Sequence, residues 1–215
     1  MASAEPAPKS LDALNRPAPH SLHPQFLGET MVEHLLQYVE AHKAEFMANT
    51  VGYTEKKNES ISVSLSLKKM GNFKNEIKSE IILVLPNVFH KLGSTPFEPM
   101  AFEMLISAYG DGAFYARHRD NYIGGLSEPS DRMITMIYYF HRSPRAFSGG
   151  ILRLHSLAAS GREGSFVDIE PVSDTAVFFP SWFPHEVLKV TCCNREFMDS
   201  RFAITCMIHK QRQKK

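Results

Sequence analysis

The sequence predicts an α+β fold that is mostly β, with two layers of antiparallel strands backed by helices near the N-terminus. Three observations point to it. Apolar residues recur at helical spacing in two stretches before residue 93. Eight short β-rich runs follow Ser94, and each is bounded by Gly, Pro, Asp or Asn. A chain of 215 residues is long enough to bury a core, and residues 25–210 are expected to form one domain.

Residues 1–24 hold five prolines, at positions 6, 8, 17, 19 and 24, and few large apolar groups. Little there can offset the entropy of ordering the backbone, so the stretch is read as a flexible arm. From Glu29 to about Met47, Met31, Val32, Leu35, Leu36, Val39 and Phe46 recur at helical spacing and predict an amphipathic helix. Ser60–Leu67 alternates polar and apolar side chains and predicts a strand. From about Asn75 to Leu92, Ile77, Ile81, Leu85, Val88 and Phe89 predict a second helix, which Pro86 should kink or divide. The strand-like runs are Phe102–Tyr109, Ala113–His118, Met133–Phe140, Gly150–His155, Ser165–Ile169, Thr175–Phe179, Glu186–Val190 and Arg201–His209. Residues 211–215 are read as a solvated basic tail.

Composition narrows the function. With 24 basic and 23 acidic side chains the formal net charge is +1, which provides no global field for nucleic acid or an anionic membrane surface. Cys192, Cys193 and Cys206 are odd in number and partly adjacent, a poor disulfide framework that suits a reducing compartment. No long apolar run and no signal-peptide pattern is present, so a cytoplasmic protein is expected.

The chemistry starts at His118-Arg119-Asp120. On an extended chain, residues i and i+2 share a face, so this imidazole and carboxylate can converge on one ion. His185, in Pro180-Ser-Trp-Phe-Pro-His185 after an apolar strand, is the candidate third ligand. Two histidines and one carboxylate on one side of a metal leave positions open, the facial arrangement of non-haem Fe(II) oxygenases. The competing reading is a His–Asp hydrogen bond that closes a turn, with His185 a surface residue. Arg201 opens the final strand and shares a face with Ala203 and Thr205. An arginine on an inward face needs a buried anion, and a dicarboxylic co-substrate would supply one through a bidentate pair. The alternative is an arginine in solvent at a strand edge.

Five ordered segments from about Met100 to His209 resemble the prolyl-4-hydroxylase-type family of 2-oxoglutarate/Fe(II) dioxygenases. They are Tyr109-Gly-Asp-Gly-Ala-Phe-Tyr115-Ala-Arg-His118-Arg-Asp120-Asn, Arg132-Met-Ile-Thr-Met-Ile-Tyr138-Tyr139-Phe, Ser148-Gly-Gly-Ile-Leu-Arg-Leu, Phe178-Phe-Pro-Ser with Phe183-Pro-His185-Glu-Val, and Arg201-Phe-Ala-Ile-Thr. The resemblance implies a double-stranded β-helix (jelly-roll) core. It implies Fe(II) on His118, Asp120 and His185, and 2-oxoglutarate anchored by Arg201. Tyr109 and Tyr139 would bond the carboxylates of 2-oxoglutarate, with Thr205 assisting the arginine. Tyr109 and Tyr139 could equally be core aromatics, and Tyr115 is placed at the substrate mouth. Arg201 lies 16 positions after His185, farther than in relatives, so Arg195 is a rival anchor.

The resemblance further implies O₂ as oxidant, ascorbate as a supporting reductant, release of succinate and CO₂, and hydroxylation of a prolyl residue in a protein or peptide. Free amino acids and small metabolites are alternative substrates. A metal-binding β-barrel without oxygenase activity would leave Arg201 without a role. A nucleic-acid demethylase is disfavoured by the charge balance and by Met207, which stands where that branch has a second arginine. A halogenase needs a small residue in place of Asp120. The loops at 50–74 and 121–131 are expected to shape the entrance.

Overall fold

The computed structural model of the chain describes residues 14–48, 62–121, 130–158 and 164–212. Fourteen strands among them form a seven-stranded sheet facing a five-stranded one, with a two-stranded ribbon at one end. In chain order they are β1 (Ser21–Pro24), β2 (Met47–Ala48), β3 (Ser62–Val63), β4 (Leu65–Leu67), β5 (Pro99–Tyr109), β6 (Phe114–His118) and β7 (Ser130–Phe140), then β8 (Phe147–Gly149), β9 (Leu152–His155), β10 (Phe166–Ile169), β11 (Thr175–Pro180), β12 (His185–Val187), β13 (Val190–Cys192) and β14 (Arg201–Gln211). The large sheet runs β1-β11-β7-β14-β5-β4-β2, the small sheet β10-β9-β12-β6-β3, and all pairings are antiparallel. This is the jelly-roll core that the sequence predicts.

Period-two alternation builds the two faces of the large sheet. On β14, Phe202, Ile204, Cys206 and Ile208 pack outward against the helices, together with Ile134, Met136, Tyr138 and Phe140 of β7. Ala203 of β14, Ile137 and Tyr139 of β7, and Val177 and Phe179 of β11 face the small sheet, where Leu152 and Leu154 of β9 complete a second core. Each inward side chain of the central strands therefore lines the space between the sheets.

Helix α1 (Glu29–Ala41) buries Leu35 and Val39. It ends sooner than its apolar pattern suggests, because the chain turns through a short 3₁₀ segment at Lys43–Glu45 and then pairs as β2. Helix α2 (Phe73–Leu92) buries Ile77, Ile81, Leu85, Val88, Phe89 and Leu92. It runs through Pro86 as one helix, against the expected division. Pro86 lies on the exposed side near Ile82 and Leu83, where water can satisfy the carbonyl that the missing N–H leaves free. Gly93, at φ 61°, then closes the helix in the left-handed conformation.

Four further expectations are corrected. Residues 21–24, assigned to the flexible arm, form β1 on the edge of the large sheet, and Ala18 and Ser21 are buried. Pairing with β11 supplies the backbone bonds that the composition could not reveal; residues 1–13 lie outside the described residues. The run Ser60–Leu67 is two strands in different sheets, since the chain crosses between layers at Ser64; Ser60 and Ile61 lie outside the described residues. Glu186–Val190 likewise splits into β12 and β13. Its hydrogen bonds change partner there, with Leu188 N bonding Ile151 O and Val190 N bonding Ala113 O. The basic tail begins later than expected, because β14 extends to Gln211 and Arg212 pairs with Asp131. Among the described residues no helix is long and apolar enough to cross a membrane.

Candidate metal and co-substrate site

His118, Asp120 and His185 come together between the sheets, with ligand-capable atoms all within 4.8 Å of one another. The two histidines are directly opposed partners on β6 and β12, and Asp120 follows two residues after His118. His118 Nδ1 donates to Ala116 O at 2.8 Å, and His185 Nδ1 donates to Phe183 O at 3.1 Å. A carbonyl can only accept, so both Nε2 atoms are left as lone-pair donors. They point at the Asp120 carboxylate, from 3.6 Å at Oδ1 and 3.4 Å at Oδ2. Donors bonded to one ion at about 2.0–2.2 Å lie less than about 4.4 Å apart, so both measured separations suit a shared metal.

A second ring of contacts holds the carboxylate in place. Thr135 Oγ1 donates to Asp120 Oδ2 at 2.7 Å and lies 3.0 Å from Ser181 Oγ. Asp120 N bonds Ser181 O at 3.0 Å, and Arg132 Nη1 bonds Asp120 O at 3.0 Å. Outer contacts of this kind orient metal ligands and tune their basicity. Burial raises the Asp120 pKa, but His185, His118 and Thr135 outweigh it and hold the carboxyl well below the usual carboxylate range. Burial pushes His185 down to about 4 despite the attraction of Asp120, so its imidazole is neutral, as ligation requires.

A β-bulge in β6 shapes the wall beside the triad. His185 pairs with His118 while Val187 pairs with Tyr115, so one extra residue is accommodated between them. Simple alternation would put Tyr115 and His118 on opposite faces. The bulge brings both inward, and their rings stack at 3.6 Å. Both line a cavity of about 280 Å³ along with Tyr109, Asp120, Ile137, His185 and Thr205.

Arg201 is buried at 1% exposure in the large sheet, opposite Tyr109 across the β14–β5 ladder. Its guanidinium carbon lies 4.9 Å from the Tyr109 ring centre and 4.8 Å from that of Tyr139. Arg201 Nε and Nη2 and the Tyr139 hydroxyl are buried without a hydrogen-bond partner. Burial pushes Tyr139 up to about 12; the guanidinium is near enough to oppose that shift electrostatically, without reaching hydrogen-bond geometry. Tyr109 is also raised by burial, opposed by Arg201 and by a hydrogen bond with Ser64. Thr205 lines the cavity two strand positions from Ala203. By contrast Arg195, the rival anchor, is 80% exposed and sits 3.1 Å from the Asp111 carboxylate.

Gly150 is part of this arrangement. It stands at φ 69°, and a Cβ there would meet Arg201 Cδ at 2.6 Å and Val190 Cγ2 at 3.0 Å. The absence of a side chain is therefore what leaves room for the arginine. A buried cation with two open N–H groups beside a neutral tyrosine hydroxyl suits a carboxylate, and the donor set suits Fe(II).

Comparison with known proteins agrees with the geometry. Residues 104–209 match the model of the 2OG-Fe(II) oxygenase superfamily. The chain belongs to this superfamily. An uncharacterized PKHD-type hydroxylase of Synechocystis sp. is 36% identical over 139 residues, which is 63% of this chain and 45% of that protein. The chain thus spans about half the length of that relative. A solved Pseudomonas putida prolyl-4-hydroxylase superposes with a TM-score of 0.64 at 22% identity, covering 94% of this chain and 97% of that one. A prolyl hydroxylase of Trichoplax adhaerens, solved with a hypoxia-inducible-factor peptide fragment, gives 0.62 at 21% identity, covering 92% and 86%. At such identities the two structures speak for the shared fold. The superfamily's metal and co-substrates are Fe(II), 2-oxoglutarate and O₂, consistent with the triad and with the unpaired guanidinium.

Sequence reasoning named the triad, Arg201, Tyr109, Tyr139 and Thr205, and all of them fall at this site. It missed Thr135, Ser181 and Ser64. Period two from Tyr139 and Ile137 puts Thr135 on the inward face of β7, a signal that was available. Nothing local marks Ser181 or Ser64. Of the expected entrance loops, residues 50–61 and 122–129 lie outside the described residues, while residues 62–74 hold β3, β4 and the start of α2.

Proposed function

We propose that the protein is a 2-oxoglutarate- and Fe(II)-dependent dioxygenase that hydroxylates an unactivated C–H bond, that of a prolyl residue in a protein or peptide. The observation that carries the reading is the combination of a His/His/Asp set with a fully buried, unpaired arginine in one double-layered barrel. His118, Asp120 and His185 hold Fe(II) in this reading, and Arg201 anchors the far carboxylate of 2-oxoglutarate. When bound, the metal and co-substrate supply oxidising power: O₂ is consumed, 2-oxoglutarate becomes succinate and CO₂, and C–H becomes C–OH.

The chain's own residues supply position and exclusion. Thr135 and Ser181 fix the Asp120 carboxylate, and the carbonyls of Ala116 and Phe183 set both histidine tautomers. The Tyr139 hydroxyl stays protonated at neutral pH and donates to a carboxylate beside Arg201, while Thr205 lines the same wall. Ile137, Leu105 and Val187 exclude water around the co-substrate chain.

The test is succinate formation from 2-oxoglutarate with Fe(II) and ascorbate, in air and under anaerobic conditions. Oxygen-dependent succinate in the wild type, abolished in Asp120→Ala, is the expected result. In parallel, anaerobic addition of 2-oxoglutarate to the Fe(II) protein should produce a visible charge-transfer band. The absence of both succinate and the band would refute the oxygenase reading.

A further inference from the structure

Among the described residues, the mouth of the cavity carries two cations that no acid answers. Lys68, just after β4, and Arg119, between the two ligand positions of the His-x-Asp pair, line the same cavity as the triad. Both are exposed, and among the described residues neither makes an ion pair or a hydrogen bond. Cations around them are differently placed. Lys69 lies 3.4 Å from Glu45, Arg212 pairs with Asp131, and Arg132 grips Glu103 through Nε at 3.1 Å and Nη2 at 2.8 Å.

Among the described residues Glu103 is the acid that lines this rim, and it is fully engaged. Besides Arg132, His209 Nε2 lies 3.3 Å from its carboxylate. The Arg132–Glu103 pair cancels, and Asp120 is turned toward the two histidines. The remaining wall is uncharged, formed by residues such as Ser66, Ser107, Leu105 and Met207. Among the described residues the rim is therefore positive, and low-dielectric walls concentrate such a field on whatever enters.

We propose that the primary substrate presents a carboxylate at this mouth, held by Lys68 and Arg119, while its oxidised carbon reaches the triad. The inference rests on the oxygenase reading and deepens it. The 2-oxoglutarate carboxylates are not available for this role, because that reading commits one to the metal and the other to Arg201. Two sources supply the same chemistry: an acidic residue next to the target residue of a peptide, or the carboxylate of a free amino acid.

The experiment uses the Fe(II)-loaded full chain and measures 2-oxoglutarate-dependent succinate above the substrate-free rate. The probes are end-capped proline pentapeptides with Asp, Asn or Lys beside the proline, and L-proline against L-prolinamide. The expected result is that the Asp peptide or L-proline is used with kcat/KM about tenfold or more above its uncharged counterpart, the scale of one charge-assisted contact. Lys68→Glu should erase that preference, and Lys68→Arg should retain it, a pattern that simple misfolding would not produce. Equal use of Asp and Asn peptides together with equal use of proline and prolinamide, preference for the Lys peptide, or no use of any probe by enzyme that shows the charge-transfer band would each overturn the proposal. Absence of band and succinate in the wild type would instead overturn the oxygenase reading and this inference with it.

Discussion

Replacing Arg201 with methionine should make the ligand-free protein more stable and abolish its response to 2-oxoglutarate. The guanidinium is 1% exposed, and its Nε and Nη2 have no partner. Removing a cation from water costs several kcal/mol, of which two tyrosine faces at 4.9 and 4.8 Å return about 0.5–2 kcal/mol each. Exchanging buried ionic groups for apolar ones of similar volume stabilises by about 1–4 kcal/mol in known cases, and methionine adapts well to an irregular space. For a chain of this size that corresponds to a rise in Tm of roughly 2–16 °C. In the proposed reading the same change removes two charge-assisted hydrogen bonds to the co-substrate, worth about 1.5–3 kcal/mol each, so Kd should rise by about 10²–10⁴-fold. The assay is thermal unfolding of the Fe(II) protein with and without 2-oxoglutarate. At about 100 times the wild-type Kd the ligand should stabilise the wild type by about 2.7 kcal/mol and the variant by no more than about 0.4 kcal/mol. A variant that melts lower than wild type yet still shifts with 2-oxoglutarate would refute both the cost assigned to Arg201 and its anchoring role.

Other outcomes follow from the same contacts. Gly150→Ala should lower stability by about 2–5 kcal/mol, read by denaturant unfolding, because it combines left-handed strain with a Cβ placed 2.6 Å from Arg201 Cδ. Thr135→Val keeps the shape but removes the 2.7 Å bond to Asp120, so Fe(II) affinity in a competition titration should fall about 10–100-fold. Asp174→Ala should cost about 2–4 kcal/mol in thermal unfolding without affecting the metal site. The Asp174 carboxylate accepts from Tyr138 Oη at 3.0 Å, from Leu27 N at 2.8 Å and from Gly28 N at 3.0 Å, tying the large sheet to the start of α1.

Much of the site was legible because strand geometry is periodic. His118 and Asp120 share a face by their spacing of two, and Arg201, Ala203 and Thr205 do so for the same reason. The bulge in β6 broke that rule, which is why Tyr115 stacks on His118 from a position that alternation assigns to the other face. Thr135 was readable from Tyr139 by period two, whereas Ser181 and Ser64 act through contacts 46 and 45 residues distant in sequence, to Thr135 and Tyr109. The rivalry between Arg195 and Arg201 could not be resolved by spacing; burial separates them, since one lies in solvent beside Asp111 and the other at the sheet interface.

The sequence by itself determined the two helical stretches, most of the core strands with their inward faces, and the residue types able to hold a metal. These follow from local periodicity and side-chain chemistry, which neighbouring residues carry within themselves. Only the tertiary structure decided that β1 joins the large sheet, that the chain changes sheets at Ser64, and that Gly150 clears the space for Arg201. Those outcomes depend on hydrogen bonds and close approaches between segments remote in the chain, and no local pattern encodes the distance between two remote atoms.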